Sequence, residues 1–170
     1  MPLIERKGKP ALHYRVDDFT DPWKNAPTIL LQHGFGRSSQ FWYSWVPYLA
    51  RFYKVVRPDV RGLGGSSAEF DLDHEFTLDH CVNDLIDIIH DLDADSVHLC
   101  GESIGGVLCI ALAAMHPSLV RTLSLVSTPA FINKVGKVTY AMGHESRHDS
   151  RHAAHLAGRR GVEFLIECAN

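Results

Sequence analysis

The stretch Leu99-Cys100-Gly101-Glu102-Ser103-Ile104-Gly105-Gly106 decides the fold of this chain. The apolar run from Ser96 to Cys100, with Val97 and Leu99 alternating, predicts a short buried strand. Ile104 to His116, rich in Leu, Ala, Ile and Met, predicts a helix. Between them lies Gly-x-Ser-x-Gly. In a sharp strand-to-helix turn the middle residue is forced into a strained backbone conformation, and glycines at 101 and 105 remove side chains that would clash with the strand and the helix. The Ser103 hydroxyl is then held above the sheet edge, with the first helical N–H groups behind it to stabilise developing negative charge. The composition predicts on the order of 0.07 accidental matches to this pattern in a chain of this length, so the strand–helix context carries the reading.

Bulk properties bound the rest. A chain of 170 residues, 45% hydrophobic and 22% charged, is enough for one soluble globular domain with a real core. The longest uninterrupted apolar run, Val107 to Met115, is about half of what a bilayer requires, so no membrane association is expected. Met1 to Lys9 carries charge but is followed by no apolar h-region, so no secretory leader is read and the cytoplasm is the expected compartment. A net charge of −3 without a basic block argues against nucleic acid as a partner. Cys81, Cys100, Cys109 and Cys168 form no Cys-x-x-Cys pair and are expected as buried, reduced thiols.

Outward from the central stretch, strands and helices alternate. Ala11 to Val16 alternates Leu12, Tyr14 and Val16 against His13 and Arg15, as a half-exposed strand does. Asp17 to Pro27 is a loop. Thr28 to Gln32 is a fully apolar strand that stops at His33-Gly34-Phe35-Gly36. Ser39 is expected to cap a helix carrying Phe41, Trp42, Trp45, Val46, Leu49 and Ala50. Tyr53 to Arg57 is the next strand, ended by Pro58 and the loop from Asp59 to Ser67. Thr77 caps a helix with Leu78, Cys81, Val82, Leu85, Ile88, Ile89 and Leu92 on one face. His116-Pro117 closes the central helix, and Val120 to Val126 is another apolar strand. The expected fold class is therefore α/β, a mostly parallel sheet with helices on both faces. From Ala130 the composition turns His- and Arg-rich. The division expected is a core over residues 1–130 and the start of a helical cap over 131–170.

At this point the residues resemble the α/β-hydrolase family, over roughly residues 10 to 130. The likeness rests on several motifs in order: Leu30-Leu31-Gln32-His33-Gly34-Phe35-Gly36 with Trp42 nearby, the Asp59-Val-Arg-Gly-Leu-Gly-Gly-Ser66 loop, the Gly101-Glu-Ser-Ile-Gly-Gly106 elbow, and His116-Pro117 before an apolar strand. The resemblance implies that Ser103 is the nucleophile and that the backbone N–H groups of Phe35 and Ile104 form the oxyanion hole, with the Phe35 side chain lining an acyl pocket. It implies a supporting role for His33 under the oxyanion loop, turn-stabilising roles for Asp59 and Arg61, and a packing role for Glu102. A serine at the elbow argues for acyl transfer through a covalent ester, where the epoxide hydrolase and haloalkane dehalogenase branches place an aspartate. The implied substrates are small esters, lactones and related acyl compounds, and no cofactor is implied.

Family members carry an acid after a later strand and a histidine after the last one. Ser127 to Asn133 offers no carboxylate, and His144, His148, His152 and His155 fall where a cap would begin. None of them transfers as the base. The expectation is a chain that is the N-terminal part of a hydrolase, cut inside its cap by truncation, alternative splicing or a gene-model error. Such a chain would hold half a site, be inactive or weakly active alone, and self-associate through an incomplete sheet edge. A rival reading comes from His144-Glu145-Ser146-Arg147-His148, which fits His-Glu-x-x-His, with Glu167 as a conceivable third zinc ligand. The charged Arg147, the flanking Gly143 and Gly158 and the lack of a Gly-x-x-His extension count against it, and no metal site is assigned. A third reading is a non-catalytic binding fragment.

Overall fold

The structure, a computed structural model, describes residues 3–132, 138–140 and 164–167. In chain order its strands are β1 (Leu3–Arg6), β2 (Lys9–Asp17), β3 (Thr28–Gln32), β4 (Lys54–Pro58), β5 (Val97–Glu102), β6 (Val120–Val126), β7 (Ala130–Ile132), β8 (Val138–Tyr140) and β9 (Phe164–Glu167). A 3-10 turn over Ser39–Trp45 runs into α1 (Val46–Leu49), followed by α2 (Leu72–Glu75), α3 (Leu78–Asp91) and α4 (Ile104–Met115). The main sheet has the order β1-β2-β4-β3-β5-β6-β9. The two pairings made by β2 are antiparallel, and the pairings from β4 through β9 are parallel. The mixed, mostly parallel α/β architecture expected from the sequence is the one observed.

Alternation along the central strands explains why both sheet faces need cover. Leu30, Val56 and Leu99 join one buried cluster, with α3 and α4, while their neighbours Leu31, Val55 and Cys100 join a second with Trp42, Val46 and Ala50. A parallel strand buried on two sides reads as a near-continuous apolar run, which is how β3 and β5 read. Gly105 through Ala114 of α4 are all buried. A helix apolar all round belongs inside a layer, not on its surface. The α3 helix is amphipathic by comparison, and Thr77 caps it by accepting from the His80 amide.

Several boundaries differ from the sequence reading. Ser38, not Ser39, caps the segment after β3, accepting from Gln40 N at 3.4 Å, while Ser39 is buried with its N–H on Asp59. That segment is mostly a 3-10 turn, in keeping with the weak helix propensity of its four aromatic residues, Phe41, Trp42, Tyr43 and Trp45. The β1–β2 hairpin starts earlier than Ala11 and turns through Gly8, whose φ is 72°. Cys81, Cys100 and Cys109 are buried, as expected.

After residue 130 the described parts are three short strands, and most of the segment 131–170, where a helical cap is expected, lies outside the described residues. β7 pairs with β8 in a separate antiparallel ribbon. β9 joins the main sheet parallel to β6, with Leu123 opposite Phe164 and Val126 opposite Glu167. A short apolar run such as Phe164-Leu165-Ile166 fits a strand as well as a helix, and periodicity alone does not separate them. β6 therefore has a neighbour on its outer side, and β9 ends the sheet among the described residues. The histidines at 144, 148, 152 and 155, and with them the zinc reading, lie outside the described residues.

Candidate active site

The β5–α4 junction is the sharp turn that the glycine spacing predicts. Ser103 has φ 54° and ψ −123°, a region that a residue with a Cβ enters at a cost of about 1–3 kcal/mol. Close packing holds it there. The Ser103 N–H donates to Val126 O at 3.0 Å, and its carbonyl accepts from Gly106 N at 3.0 Å. A Cβ on Gly101 would lie 2.5 Å from Gly106 Cα, and one on Gly105 would lie 2.6 Å from Gln32 O. The ends of β3 and β5 thus press directly on the start of α4. Ser103 is half-buried, and its hydroxyl makes no hydrogen bond to any described residue.

The loop His33-Gly34-Phe35 packs against this elbow. A Cβ on Gly34 would lie 3.0 Å from Ser103 Cβ and 3.1 Å from Glu102 O. His33 is fully buried, and its ring is used up by the backbone: Nδ1 bonds Gly34 O at 2.8 Å and Nε2 bonds Val60 N at 3.1 Å. A carbonyl only accepts and an amide N–H only donates, so Nδ1 carries the proton and Nε2 is the acceptor. Burial depresses the His33 pKa, with the Gly34 hydrogen bond and the charges of Asp59 and Glu102 opposing it, which keeps the ring neutral. His33 is therefore a brace in this geometry and has no lone pair left for Ser103. Because a trans peptide points its C=O and N–H in opposite directions, anchoring Gly34 O to His33 aims the Phe35 N–H away from it. That N–H and the N–H of Ile104, first in α4, have no acceptor among the described residues.

Phe35 and Ile104 line one cavity of about 420 Å³, together with Val60, Leu63, Phe76, Leu78, Cys81 and Leu108. Among the described residues no charged side chain lines it. Thr77 contributes a hydroxyl already engaged with His80 Nδ1 at 2.8 Å, and burial pushes the Cys81 thiol up to about 11, so it is a neutral wall. Phe35 itself is exposed at the mouth. The loop behind this wall is pinned by Asp59, which bonds His13 Nδ1 at 2.7 Å and the amides of Gly65 and Ser39. Burial works against the Asp59 charge, and those hydrogen bonds outweigh it to lower its pKa. Arg61 is fixed by two bonds of 2.6 Å to Asp84. Both are turn-holding, as the sequence suggests.

The sequence missed how Glu102 is used. Its side chain is buried next to Ser103 in sequence, and Oε2 accepts from Gly34 N at 3.0 Å and lies 3.5 Å from Arg37 Nε. The only signal was an acidic residue at the inner end of an otherwise apolar strand. Among the described residues no group of three or more His, Cys, Asp or Glu side chains is placed to hold a metal ion, and no helix is long and apolar enough to cross a membrane.

An elbow serine, a glycine loop lying against it and the sheet order together define a class, and the comparisons agree. Residues 27–160 match the alpha/beta hydrolase fold family, and this chain belongs to it. A protein of Agrobacterium fabrum (strain C58) that carries the name of a carbamate hydrolase is 30% identical over 116 residues, which are 68% of this chain and 43% of the relative. The karrikin insensitive 2 receptor IA of Petunia hybrida is 33% identical over 108 residues, 62% of this chain and 39% of the receptor. The crystal structure of the enol-lactonase from Burkholderia xenovorans LB400 superposes with a TM-score of 0.68 at 30% identity, covering 75% of this chain and 47% of that one. The chain spans about half the length of the curated relatives it matches.

Proposed function

We propose that this chain carries the nucleophile and the oxyanion hole of a serine-dependent acyl hydrolase whose substrates are uncharged carboxylic esters or lactones with an apolar acyl part. The observation that carries the reading is the strained backbone of Ser103 beside an apolar cavity lined by Phe35 and Ile104, neither of whose amides has an acceptor among the described residues. In the reaction Ser103 Oγ bonds to the carbonyl carbon and the carbonyl oxygen becomes an oxyanion between the two amides. The hydroxyl proton passes to a general base and then to the departing alcohol as the acyl–oxygen bond breaks, and water releases the acid. An imidazole is the expected base. None of the described histidines is placed for it, so it comes from outside the described residues. A serine also disfavours epoxide opening, because attack on an epoxide leaves an ether that water does not cleave, whereas an aspartate leaves a hydrolysable ester.

The cavity supports the neutral, apolar substrate class. Each buried CH₂ is worth about 0.8 kcal/mol, or roughly fourfold in rate if the gain is realised in the transition state. The test is phosphonylation of the chain by alkyl fluorophosphonates, followed by intact mass. Labelling is expected at Ser103, to disappear in Ser103→Ala, and to quicken as the alkyl group lengthens from ethyl to hexyl. Indifference to length, or faster reaction with a carboxylate-bearing analogue, overturns the substrate class. A second reading, a binding module, is supported by the likeness to a named receptor, and it gains if a fluorophosphonate leaves Ser103 untouched.

A further inference from the structure

We infer that Glu102 and Arg37 form a charge-balanced latch that sets the Phe35 amide for the oxyanion. The inference rests on the serine reading above and assigns positioning roles to two residues that do not themselves touch substrate.

Two bonds decide where the Phe35 N–H points. His33 holds the far side of the Gly34–Phe35 peptide through Gly34 O. Glu102 holds the near side of Gly34 through its N–H, at 3.0 Å. Removing the second bond frees the loop to lift from the elbow, since the space beside Gly34 is filled by the carboxylate and by Ser103 Cβ and nothing else pins that amide. Glu102 is also the last residue of β5, whose Gly101 and Glu102 pair with Leu125 and Val126 of β6. The latch therefore ties the loop to an interior strand of the main sheet, paired on both sides.

A carboxylate at this place has an electrostatic drawback. It lies one peptide away from an amide that must attract an oxyanion, inside a largely buried environment where charges are poorly screened. Arg37 offsets it. Its Nε is 3.5 Å from the same Oε2 that takes the Gly34 bond, and its guanidinium is held 4.2 Å over the Phe41 ring. Arg37 is half-exposed, with 49% of its side chain accessible, so it can be replaced without opening the core. The consequence is conditional: Arg37 matters to the chemistry only while Glu102 is charged.

A double-mutant cycle reads that condition directly. The full 170-residue chain is treated with hexyl fluorophosphonate, and the limiting rate of Ser103 phosphonylation is separated from the reagent's apparent affinity. Glu102→Ala is expected to lower the limiting rate about 10- to 100-fold, less than or similar to loss of one whole oxyanion donor, with the affinity nearly unchanged. Glu102→Gln, which keeps an oxygen to accept from Gly34, is expected to recover most of that loss. Arg37→Gln is expected to slow phosphonylation about tenfold by leaving the carboxylate unbalanced, and to have less than about a twofold effect once Glu102→Gln is also present. An Arg37→Gln loss that persists undiminished in the Glu102→Gln background overturns the latch. So does a wild-type limiting rate in Glu102→Ala. If Glu102→Ala does not fold, the Gln pair still decides the matter. A wild-type chain that is never labelled at Ser103 sinks the serine reading itself, a failure distinct from either of these.

Discussion

Ser103 sits at φ 54° and ψ −123°, and nothing in the packing of its side chain rewards that conformation. Its hydroxyl has no described partner, and its backbone bonds to Val126 and Gly106 are available to any residue. Glycine reaches the same backbone angles without a Cβ penalty. Ser103→Gly is therefore expected to raise stability by about 1 kcal/mol or more, read as a higher urea midpoint at unchanged slope, while abolishing phosphonylation. Ser103→Ala keeps the Cβ and is expected to leave the midpoint within about 0.5 kcal/mol of the parent. A glycine variant no more stable than the alanine variant shows that the bend stores no strain. A residue kept at a cost to the fold is one whose position serves something else, and this gives the elbow a functional meaning that its motif alone does not.

At the scale of elements, the site depends on how closely β3, β5 and α4 approach. Gly105 and Gly106 are adjacent in sequence, yet they face different obstacles. A Cβ on Gly105 meets the backbone carbonyls of Gln32 and His33, whereas one on Gly106 runs into the Thr128 side chain. Backbone yields less readily than a side chain. Gly105→Ala is expected to cost more than about 3 kcal/mol and to resist rescue, while Gly106→Ala is expected to regain part of its loss when combined with Thr128→Ala. Chemical denaturation of the four variants measures both, and rescue of Gly105→Ala by Thr128→Ala would contradict the geometry. The sequence made this junction readable because glycine spacing and apolar alternation are local signals. It read β3, β4, β5, α3, α4 and β6 for the same reason. The β1 strand was unreadable because Leu3 to Arg6 alternates weakly and is fixed by Arg6 reaching residues 78 and 81 positions away. β9 was unreadable because four apolar-to-acidic residues define no period. Around the candidate site, the sharp turn at Ser103 was legible from its glycine spacing, but the Glu102 bond to Gly34 joins positions 68 apart and leaves no trace in either stretch.

At the scale of the whole molecule, one buried carboxylate joins the first strand, the loop after β4 and the α3 helix. Asp84 accepts from Arg6 Nη1 at 2.6 Å and from Arg61 through two bonds of 2.6 Å, with side-chain exposures of 7%, 8% and 2% respectively. Arg61 in turn donates to Glu75 O and His80 O, on either side of the Phe76–Leu78 wall of the cavity. Removing the carboxylate leaves the buried Arg61 guanidinium with backbone carbonyls alone for hydrogen bonds, while Arg6 keeps Asp87 at 2.6 Å, and this costs more than the net worth of the intact network. Asp84→Ala is expected to destabilise by about 3–5 kcal/mol. Lys9 pairs with Asp87 a turn away at 3.0 Å, but with 51% of its side chain exposed, and Lys9→Ala is expected to cost less than about 1 kcal/mol. Since the cavity wall hangs on Arg61, Asp84→Ala is also expected to flatten the dependence of Ser103 phosphonylation on alkyl length, under conditions where the variant is still folded. Urea melts and the alkyl series together test the link. A variant that loses stability yet keeps the full length dependence would show that the cavity stands without the network, and that the apolar residues of α3 and α4 alone shape it.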